Sequence, residues 1–411
     1  MADRKVSYLL VGGGLASGNC ARHLREQDAE GEILLVGREP DPPYNRPPLS
    51  KTYLRGEESK TDILVRPEGW FEENDVEVLT RTSVKSIDTN ARVAKLSDKQ
   101  EVEFDKALIA TGSNVRILHA DGAELDGIHY LRTLGNADSI LSDAESAERV
   151  VLIGGSFIST ELAASLTKLG KQCEVIMLES VVHERFAGPE VGRIIQDVLE
   201  EHGVKIHANQ ELERFEGADG RVGRVVTKAG LELDCDFVVI GAGVHPELRL
   251  AQQAGLEVAE GVITNEFLET SVPGIYAAGD IAEYDSPIHR RRLRIEHWDV
   301  AFNQGRYAAL NMLGFDQAYD VLPYFWSDLA DWLNIEYVGP AKAWDEVWWR
   351  GDWGERKFTA WYIKDGKVAA ALTVGRSEDL VAAGHLLIEG IDVSDKRAVI
   401  EDPDSDPNEI R

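Results

Sequence analysis

VSYLLVGGGLASGNCARHLREQDAEGEILLVGRE, residues 6–39, decides how the rest of the chain is to be read. A short apolar run (Tyr8 to Val11) leads into Gly12, Gly13 and Gly14, a helical stretch follows, and a second apolar run (Ile33 to Val36) ends near Glu39. Strand, glycine turn, helix, strand and acid in that order form a dinucleotide-binding fingerprint. The glycines permit a tight turn and a close approach of backbone to a pyrophosphate, the helix N-terminus faces that anion, and the acid takes a ribose hydroxyl. The spacing is Gly12, Gly14, then Ser17 where a third glycine or alanine is usual, with Leu15 and Ala16 between. A strand–helix turn with glycines for packing alone is the plainer alternative, and the five features in sequence outweigh it.

At 411 residues the chain is too long for one typical core, and two or three domains are expected. The opening apolar run is too short for a signal-peptide core and no run is long enough to cross a bilayer, so a cytoplasmic location is expected. A formal charge of −28 argues against nucleic acid and anionic membranes as partners, and mildly against an acidic protein. His289-Arg290-Arg291-Arg292-Leu293-Arg294 is the uneven region, either a solvated turn or strand edge or a docking patch. Cys20, Cys173 and Cys235 lie far apart, with no C-x-x-C or C-x-x-x-x-C, so buried free thiols are expected and a redox disulfide from a close pair is excluded. No metal site and no fixed oligomeric state, monomer or homodimer, can be read from the chain.

Residues 40–56, PDPPYNRPPLSKTYLRG, carry five prolines in nine positions. This predicts a fixed extended segment leading into a short helix after Leu49-Ser50, with Arg46 and Lys51 as the polar groups it presents. From Val76 to Ile109 short alternating strands (VEVL, TSVKSID, RVAKL, EVEFD) precede a fully apolar one, ALIATG. Residues 149–179 then repeat the opening pattern, with Gly154 in the first position, Ser156 and Ser159 in place of the second and third glycines, and Glu179 as the acid. Glu179 favours an unphosphorylated ribose, because a carboxylate repels a 2′-phosphate, and Arg185 softens that preference.

Further strands are expected around Val222 to Thr227 and Glu232 to Ile240. ETSVPGIYAAGD predicts a turn at Pro273-Gly274, a buried strand Ile275 to Ala278, and Gly279-Asp280 at its carboxyl end, where open sheets bind ligands. RIEHWDVAFNQGRYAALNMLG follows as a helix with Ala301, Gly305, Ala308, Ala309 and Met312 on a close-packing face. Residues 322–411 are rich in tryptophan, carry an Asp365-Gly366 hairpin signal, and form a separate α+β domain. The tail EDPDSDPNEIR is expected to be disordered.

Taken together, PPYNRPPLSK, ALIATGS, the second fingerprint followed by Glu161, TSVPGIYAAGD, IEHW and PYFWSDL resemble the FAD-dependent pyridine-nucleotide oxidoreductases, in their ferredoxin-reductase and apoptosis-inducing-factor-like branch. The resemblance covers nearly the whole chain. It implies an α/β fold of two Rossmann-like dinucleotide-binding domains, the FAD domain split by the NAD domain, plus a C-terminal α+β interface domain. Residues 1–113 and 243–321 would hold FAD, 114–242 NADH, and 322–411 would form the interface domain.

By the same resemblance, Gly12, Gly14, Leu15, Ala16 and Ser17 meet the FAD pyrophosphate and Glu39 its adenosine ribose. Arg46 and Lys51 lie along FAD, Val84 offers a backbone contact to adenine, and Arg116 lies near the flavin nucleotide. Gly279 and Asp280 match the ribityl ligand, and Glu296, His297 and Trp298 the isoalloxazine edge. Gly154, Ser156, Phe157, Ile158, Glu179, Arg185 and Gly243 match pyridine-nucleotide contacts, and Trp326 and Glu336 residues near the nicotinamide. Lys51 and Glu161 match a lysine–glutamate pair beside the reacting flavin nitrogen, which is the catalytic assignment. The departures are the serines at 17, 156 and 159, which bear on affinity for the nicotinamide cofactor, and the acidic charge, which opposes an acidic ferredoxin.

The implied activity is electron transfer from NADH (NADPH second) through FAD to a ferredoxin-type iron–sulfur protein. The rivals are an NADH oxidase or quinone and small-oxidant reductase, and a redox-gated interaction protein. The last ranks lowest, since the C-terminal domain has no room for the long insertion of the apoptosis-inducing factors.

Overall fold

The computed structural model describes residues 2–410. Two compact units are present: Met1–Asn45, Lys60–Asn114 and His245–Phe325 form the first, and Arg46–Ser59, Val115–Val244 and Trp326–Arg411 the second.

In the first unit the strand Arg4–Val11 lies between Ile33–Val36 and Glu101–Ile109, parallel to both, with Val11 opposite Val36 on one side and Ile109 on the other. Val76–Leu79 continues the sheet beyond Ile33–Val36. EVEFD and ALI were expected as two strands and are one nine-residue strand with two sets of partners. Its first half pairs antiparallel with Val93–Leu96, and its second half pairs parallel with Ile275–Ala277. The switch from alternating to continuous apolar residues follows that change, because a parallel strand covered on both faces buries every side chain. The strand Ile275–Ala277 therefore comes from far down the chain and delivers Gly279 and Asp280 to the carboxyl end of the sheet.

The helices Leu15–Glu26 and Trp298–Met312 pack tightly. A Cβ at Gly305 would lie 2.4 Å from the Ala16 carbonyl oxygen, so only glycine fits. Beside it the Asn19 amide donates to the Phe302 carbonyl at 2.6 Å. Ala308, Ala309 and Met312 are buried on this face. The helix starts at Trp298 rather than at Arg294, because Arg291–Leu293 is committed to an antiparallel edge strand on Ala282–Ser286 and His297 is extended.

In the second unit a five-stranded parallel sheet runs in the order Lys205–His207, Gln172–Ile176, Arg149–Ile153, Phe237–Ile240, Ile128–Tyr130. Leu134–Ser146, Phe157–Lys168 and Glu184–Glu201 are its helices. The last is broken at Gly188, whose φ is +84°, with Pro189 following. Trp344 sits 3.1 Å from where a Cβ of Gly188 would be, and the Tyr362 hydroxyl donates at 2.8 Å to the Ala187 carbonyl that the break leaves open. Pro47–Ser50 is a 3-10 turn lying inside the proline segment, not after it. Pro47 and Pro48 occupy its first two positions, where no N–H is required.

The C-terminal sheet runs Tyr324–Leu329, Leu333–Val338, Lys367–Val374, Lys357–Lys364, Glu346–Asp352, with the helix Ser377–Glu389 packed on it. Trp361 and Trp348 are core residues, while Trp349 stacks on the half-exposed Trp353 at 4.4 Å and Trp332 on His202 at 4.0 Å.

The tail is not disordered, a correction to the expectation from its composition; Arg411 alone lies outside the described residues. Arg350 is buried and paired with buried Asp379 at 3.0 Å. Its remaining N–H groups need acceptors. The carbonyls of Ile400, Asp402, Pro403 and Ser405 supply them, which pins the tail down.

Candidate functional site

In the first unit the glycine turn does two separate jobs. A Cβ on Gly12 would lie 2.1 Å from the Ala110 carbonyl oxygen, and its φ is +127°, so this position is closed to any side chain. Gly14, the N-cap of the helix, has an ordinary φ of −103°, and a Cβ added there would meet nothing within 4 Å. The N-terminus of Leu15–Glu26 thus opens onto free space, the shape an approaching pyrophosphate requires. Glu39, just past Ile33–Val36, accepts a hydrogen bond of 2.5 Å from the Tyr44 hydroxyl.

Across the sheet end, the Gly279 N–H donates to the Gln304 side-chain oxygen at 2.8 Å, and Gly279 has a φ of +80°. The fully buried Ser17 hydroxyl, the Ser113 hydroxyl and the Gln304 amide nitrogen have no hydrogen-bond partner among the described residues. Buried polar atoms are normally paired. Orphans at the first turn of the fingerprint helix and beside Gly279, next to that open space, fit a large polar ligand such as a dinucleotide.

The Asp280 carbonyl accepts from Arg294 at 3.1 Å. His297 stacks on Phe325 at 4.5 Å, and burial lowers its pKa to about 4, so the ring is neutral at physiological pH. The Trp298 indole donates to Asn45 at 2.8 Å and stacks on Phe302. Glu296 is exposed and paired with Arg294 at 2.5 Å. Val84 lies in the strand Val84–Asp88 and is half-buried.

In the second unit the turn at Gly154 repeats the closed position: its φ is +114° and a Cβ would lie 2.5 Å from the Gly241 carbonyl. Ser156 is the N-cap of Phe157–Lys168, with a φ of −105°, in the place that Gly14 holds in the first unit. The open space found at Gly14 explains how a serine is tolerated there without strain. Ser159 is buried and its hydroxyl donates to the Ile153 carbonyl at 3.2 Å, so it serves helix–strand packing, the usual task of the third glycine. Arg185 pairs with Glu179 at 2.8 Å. The Arg116 N–H donates to the Gly243 carbonyl at 2.9 Å, which brings those two expected residues together.

Lys51 and Glu161 meet at 3.2 Å, both buried. Lys51 follows the 3-10 turn, and Glu161 lies on the second fingerprint helix. Each carboxylate oxygen of Glu161 also accepts a hydroxyl, Oε2 from Ser50 and Oε1 from Ser327, each at 2.6 Å. Asp328 stands 3.6 Å from the Lys51 ammonium. With both oxygens held, the carboxylate cannot rotate away, and the ammonium is fixed in a site largely closed to water. Arg46 donates to the Arg132 carbonyl. Trp326 is half-buried in the strand Tyr324–Leu329, and Glu336 accepts from Ser377.

Sequence reasoning missed Ser50, Ser327, Gln304, Asn45 and Tyr44. Tyr44, Asn45 and Ser50 stand inside PPYNRPPLSK and Ser327 inside PYFWSDL, so a signal for them was present; Gln304 carried none.

The family model "pyridine nucleotide-disulphide oxidoreductase" matches residues 6–305, and "reductase C-terminal" matches 324–410. The 5,5'-dehydrodivanillate O-demethylase ferredoxin reductase subunit of Sphingobium sp. is 34% identical over 95% of both chains. Human apoptosis-inducing factor 3 is 31% identical over 93% of this chain and 63% of its own length. Among solved structures, a covalent putidaredoxin reductase–putidaredoxin complex is 30% identical with a TM-score of 0.92, covering 100% of this chain and 98% of that one. Two dinucleotide turns, a buried lysine–glutamate pair and matches along nearly the whole length lead to one conclusion: the chain belongs to the pyridine nucleotide-disulphide oxidoreductase family and carries a reductase C-terminal domain over residues 324–410.

Proposed function

We propose that the protein is an NADH-dependent, FAD-containing ferredoxin reductase, an electron-transfer flavoprotein that passes electrons from NADH to a small iron–sulfur protein. The thiols carry this reading. Cys20, Cys173 and Cys235 are buried and free, and burial pushes each thiol pKa up, to about 11 at Cys173 and about 12 at Cys235. Burial disfavours the thiolate at each, and among the described residues all three thiols are free and no disulfide is present to receive electrons, so reducing equivalents leave to an external acceptor.

FAD, when bound, supplies the exchange between two-electron and one-electron transfer. The chain supplies orientation and charge. Gly12, Gly14, Leu15, Ala16 and Ser17 receive the FAD pyrophosphate, Glu39 the adenosine ribose, and Val84 the adenine. Arg46 and Arg116 lie along the nucleotide, Gly279 and Asp280 take the ribityl chain, and Glu296, His297 and Trp298 border the ring. Gly154, Ser156, Phe157, Ile158 and Gly243 hold the nicotinamide dinucleotide, Glu179 and Arg185 its ribose, and Trp326 and Glu336 flank the nicotinamide. Lys51 stabilises negative charge at the reacting end, and Glu161 keeps its ammonium in place. The 3.2 Å contact and the two serine hydroxyls support that pairing.

The work divides among an FAD domain (1–113 and 243–321), an NADH domain (114–242) and a C-terminal domain (322–411). A cytoplasmic location fits, since among the described residues no helix is long and apolar enough to cross a membrane. For docking, the run Arg290 to Arg294 is a weaker patch than its sequence suggests: Arg292 pairs with Asp285 at 3.0 Å and Arg294 with Glu296. A second cationic group gathers in the first unit, where Arg22, Arg66 and Arg306 all act on His23 with Glu26 as the acid among them. Charge reversal at Arg306 is expected to raise the KM for an acidic ferredoxin more than reversal at Arg292, with NADH–ferricyanide turnover unchanged in both.

Stopped-flow reduction with NADH and with NADPH tests the reading. Rapid bleaching of the flavin band by NADH, and turnover that needs an added iron–sulfur protein, are expected. Slow bleaching by both, with a lasting long-wavelength band, would reject it.

A further inference from the structure

Between Glu179 and the helix Glu184–Glu201 stands a residue whose conformation is costly; its carbonyl caps that helix, accepting from Phe186 and Ala187, while its N–H and its ring lead to the second nucleotide turn. His183 has φ +56° and ψ +13°, the left-handed region that side-chain-bearing residues seldom enter. Its backbone N–H donates at 2.8 Å to the carbonyl of Gly155, the middle residue of the turn Gly154-Gly155-Ser156. Its ring Nε2 lies 3.0 Å from the Thr160 hydroxyl, on the first turns of Phe157–Lys168. The same hydroxyl reaches the carbonyls of Ser156 and Phe157, at 3.3 and 3.1 Å. A hydroxyl has one proton to give, so donating it to the helix leaves a lone pair for Nε2–H. The ring also packs at 4.5 Å on Phe157, the first residue of that helix.

His183 is buried, and Nδ1 has no partner among the described residues. A positive φ and an orphaned buried nitrogen persist only where the surroundings over-determine them, which is common at functional sites. Phe157 in turn packs on Phe186, and Phe186 on Tyr337, so the brace is backed by aromatic packing from two further elements.

We propose that His183 is a positioning residue for the nicotinamide dinucleotide. Through its backbone it holds the turn that precedes Ser156, and through its ring it holds the first turn of the helix whose N–H groups face the pyrophosphate. It thereby fixes a turn that has serine where glycine is usual. This rests on the second fingerprint binding NAD(H), as proposed above.

Three variants separate the parts. His183→Gly keeps the left-handed backbone and its bond to Gly155 but removes the ring. His183→Gln returns a donor near the Nε2 position, and Thr160→Val removes the hydroxyl while leaving the ring. Calorimetric titration of each purified flavoprotein with NAD+ is the primary readout, with KM and kcat for NADH measured against ferricyanide. Loss of the ring bond is expected to weaken NAD+ about fivefold in His183→Gly and Thr160→Val and to raise the KM for NADH alike. FAD content and kcat stay at the parent values, and His183→Gln recovers part of the loss. Parent-like NAD+ affinity in both His183→Gly and Thr160→Val would overturn the proposal, as would a joint fall in affinity, kcat and FAD content. Failure of the unaltered protein to bind NAD+ would instead sink the reductase reading, and the brace with it.

Discussion

Gly12 and Gly14 are two residues apart and answer to different constraints. Gly12→Ala places a methyl group 2.1 Å from a backbone oxygen at a positive φ, whereas Gly14→Ser meets open space at an ordinary φ. The first is expected to cost about 3 kcal/mol or more of stability and to lose FAD during purification. The second keeps the fold, but its side chain enters the space that the pyrophosphate takes, so it is expected to weaken FAD retention with little loss of stability. The flavin-to-protein absorbance ratio and the melting temperature of each variant check this. The spacing of the glycines was legible from the chain, but the difference between them was not, because it depends on Ala110, which a separate strand brings to the turn. The same holds for Lys51 and Glu161. Their pairing was legible only through resemblance; Ser50 and Ser327, which hold Glu161 by both oxygens, come from two further stretches that no local pattern links.

The helix pair Leu15–Glu26 and Trp298–Met312 was legible as a small-residue face, since Ala301, Gly305, Ala308 and Ala309 recur at helical spacing. Its partner was not, because helices from opposite ends of the first unit meet there. Gly305→Leu is expected to destabilise by roughly 1–3 kcal/mol through overpacking and to reduce FAD retention, since Ala16 lies under it. An unchanged melting temperature and flavin content would show that the helices can separate at little cost. The strand Glu101–Ile109 misled for a different reason. Its polar half and apolar half looked like two elements, yet hydrophobic period reports what covers a strand, not where it ends.

Across the whole molecule, three histidines share one electrostatic state, His183 buried and His289 and His297 partly buried. Burial lowers the pKa of His183, His289 and His297 to about 4 each, against an ordinary value of 6.5. Between those values the unfolded chain binds more protons than the folded one, so stability rises with pH. It is full above pH 6.5 and is lost as pH falls toward 4, by an amount on the order of several kcal/mol for the three together. Melting temperatures measured between neutral pH and the acid end of that window should fall steadily, and substituting His297 with Phe should flatten part of the slope. Fold class was legible at this scale from the two fingerprints, whereas the split of the first domain was implied only by the resemblance, because no local pattern says that Ile275–Ala277 pairs with Glu101–Ile109. The tail was misread, because its acidic, proline-rich composition says nothing of a buried guanidinium elsewhere that needs its carbonyls.

That guanidinium sets an order of assembly. Arg350 lies in Glu346–Asp352, and its partner carbonyls at Asp402 and Ser405 follow 52 and 55 residues later. A chain made from the N-terminus forward has the cation long before it has the acceptors. Until they arrive, the edge of the C-terminal sheet carries an incompletely satisfied charge, and closing it would cost more than leaving it in water. The sheet is therefore expected to close late on a growing chain, and removing residues after Val399 is expected to leave Arg350 with Asp379 and the Val399 carbonyl alone and to lower the melting temperature of this domain.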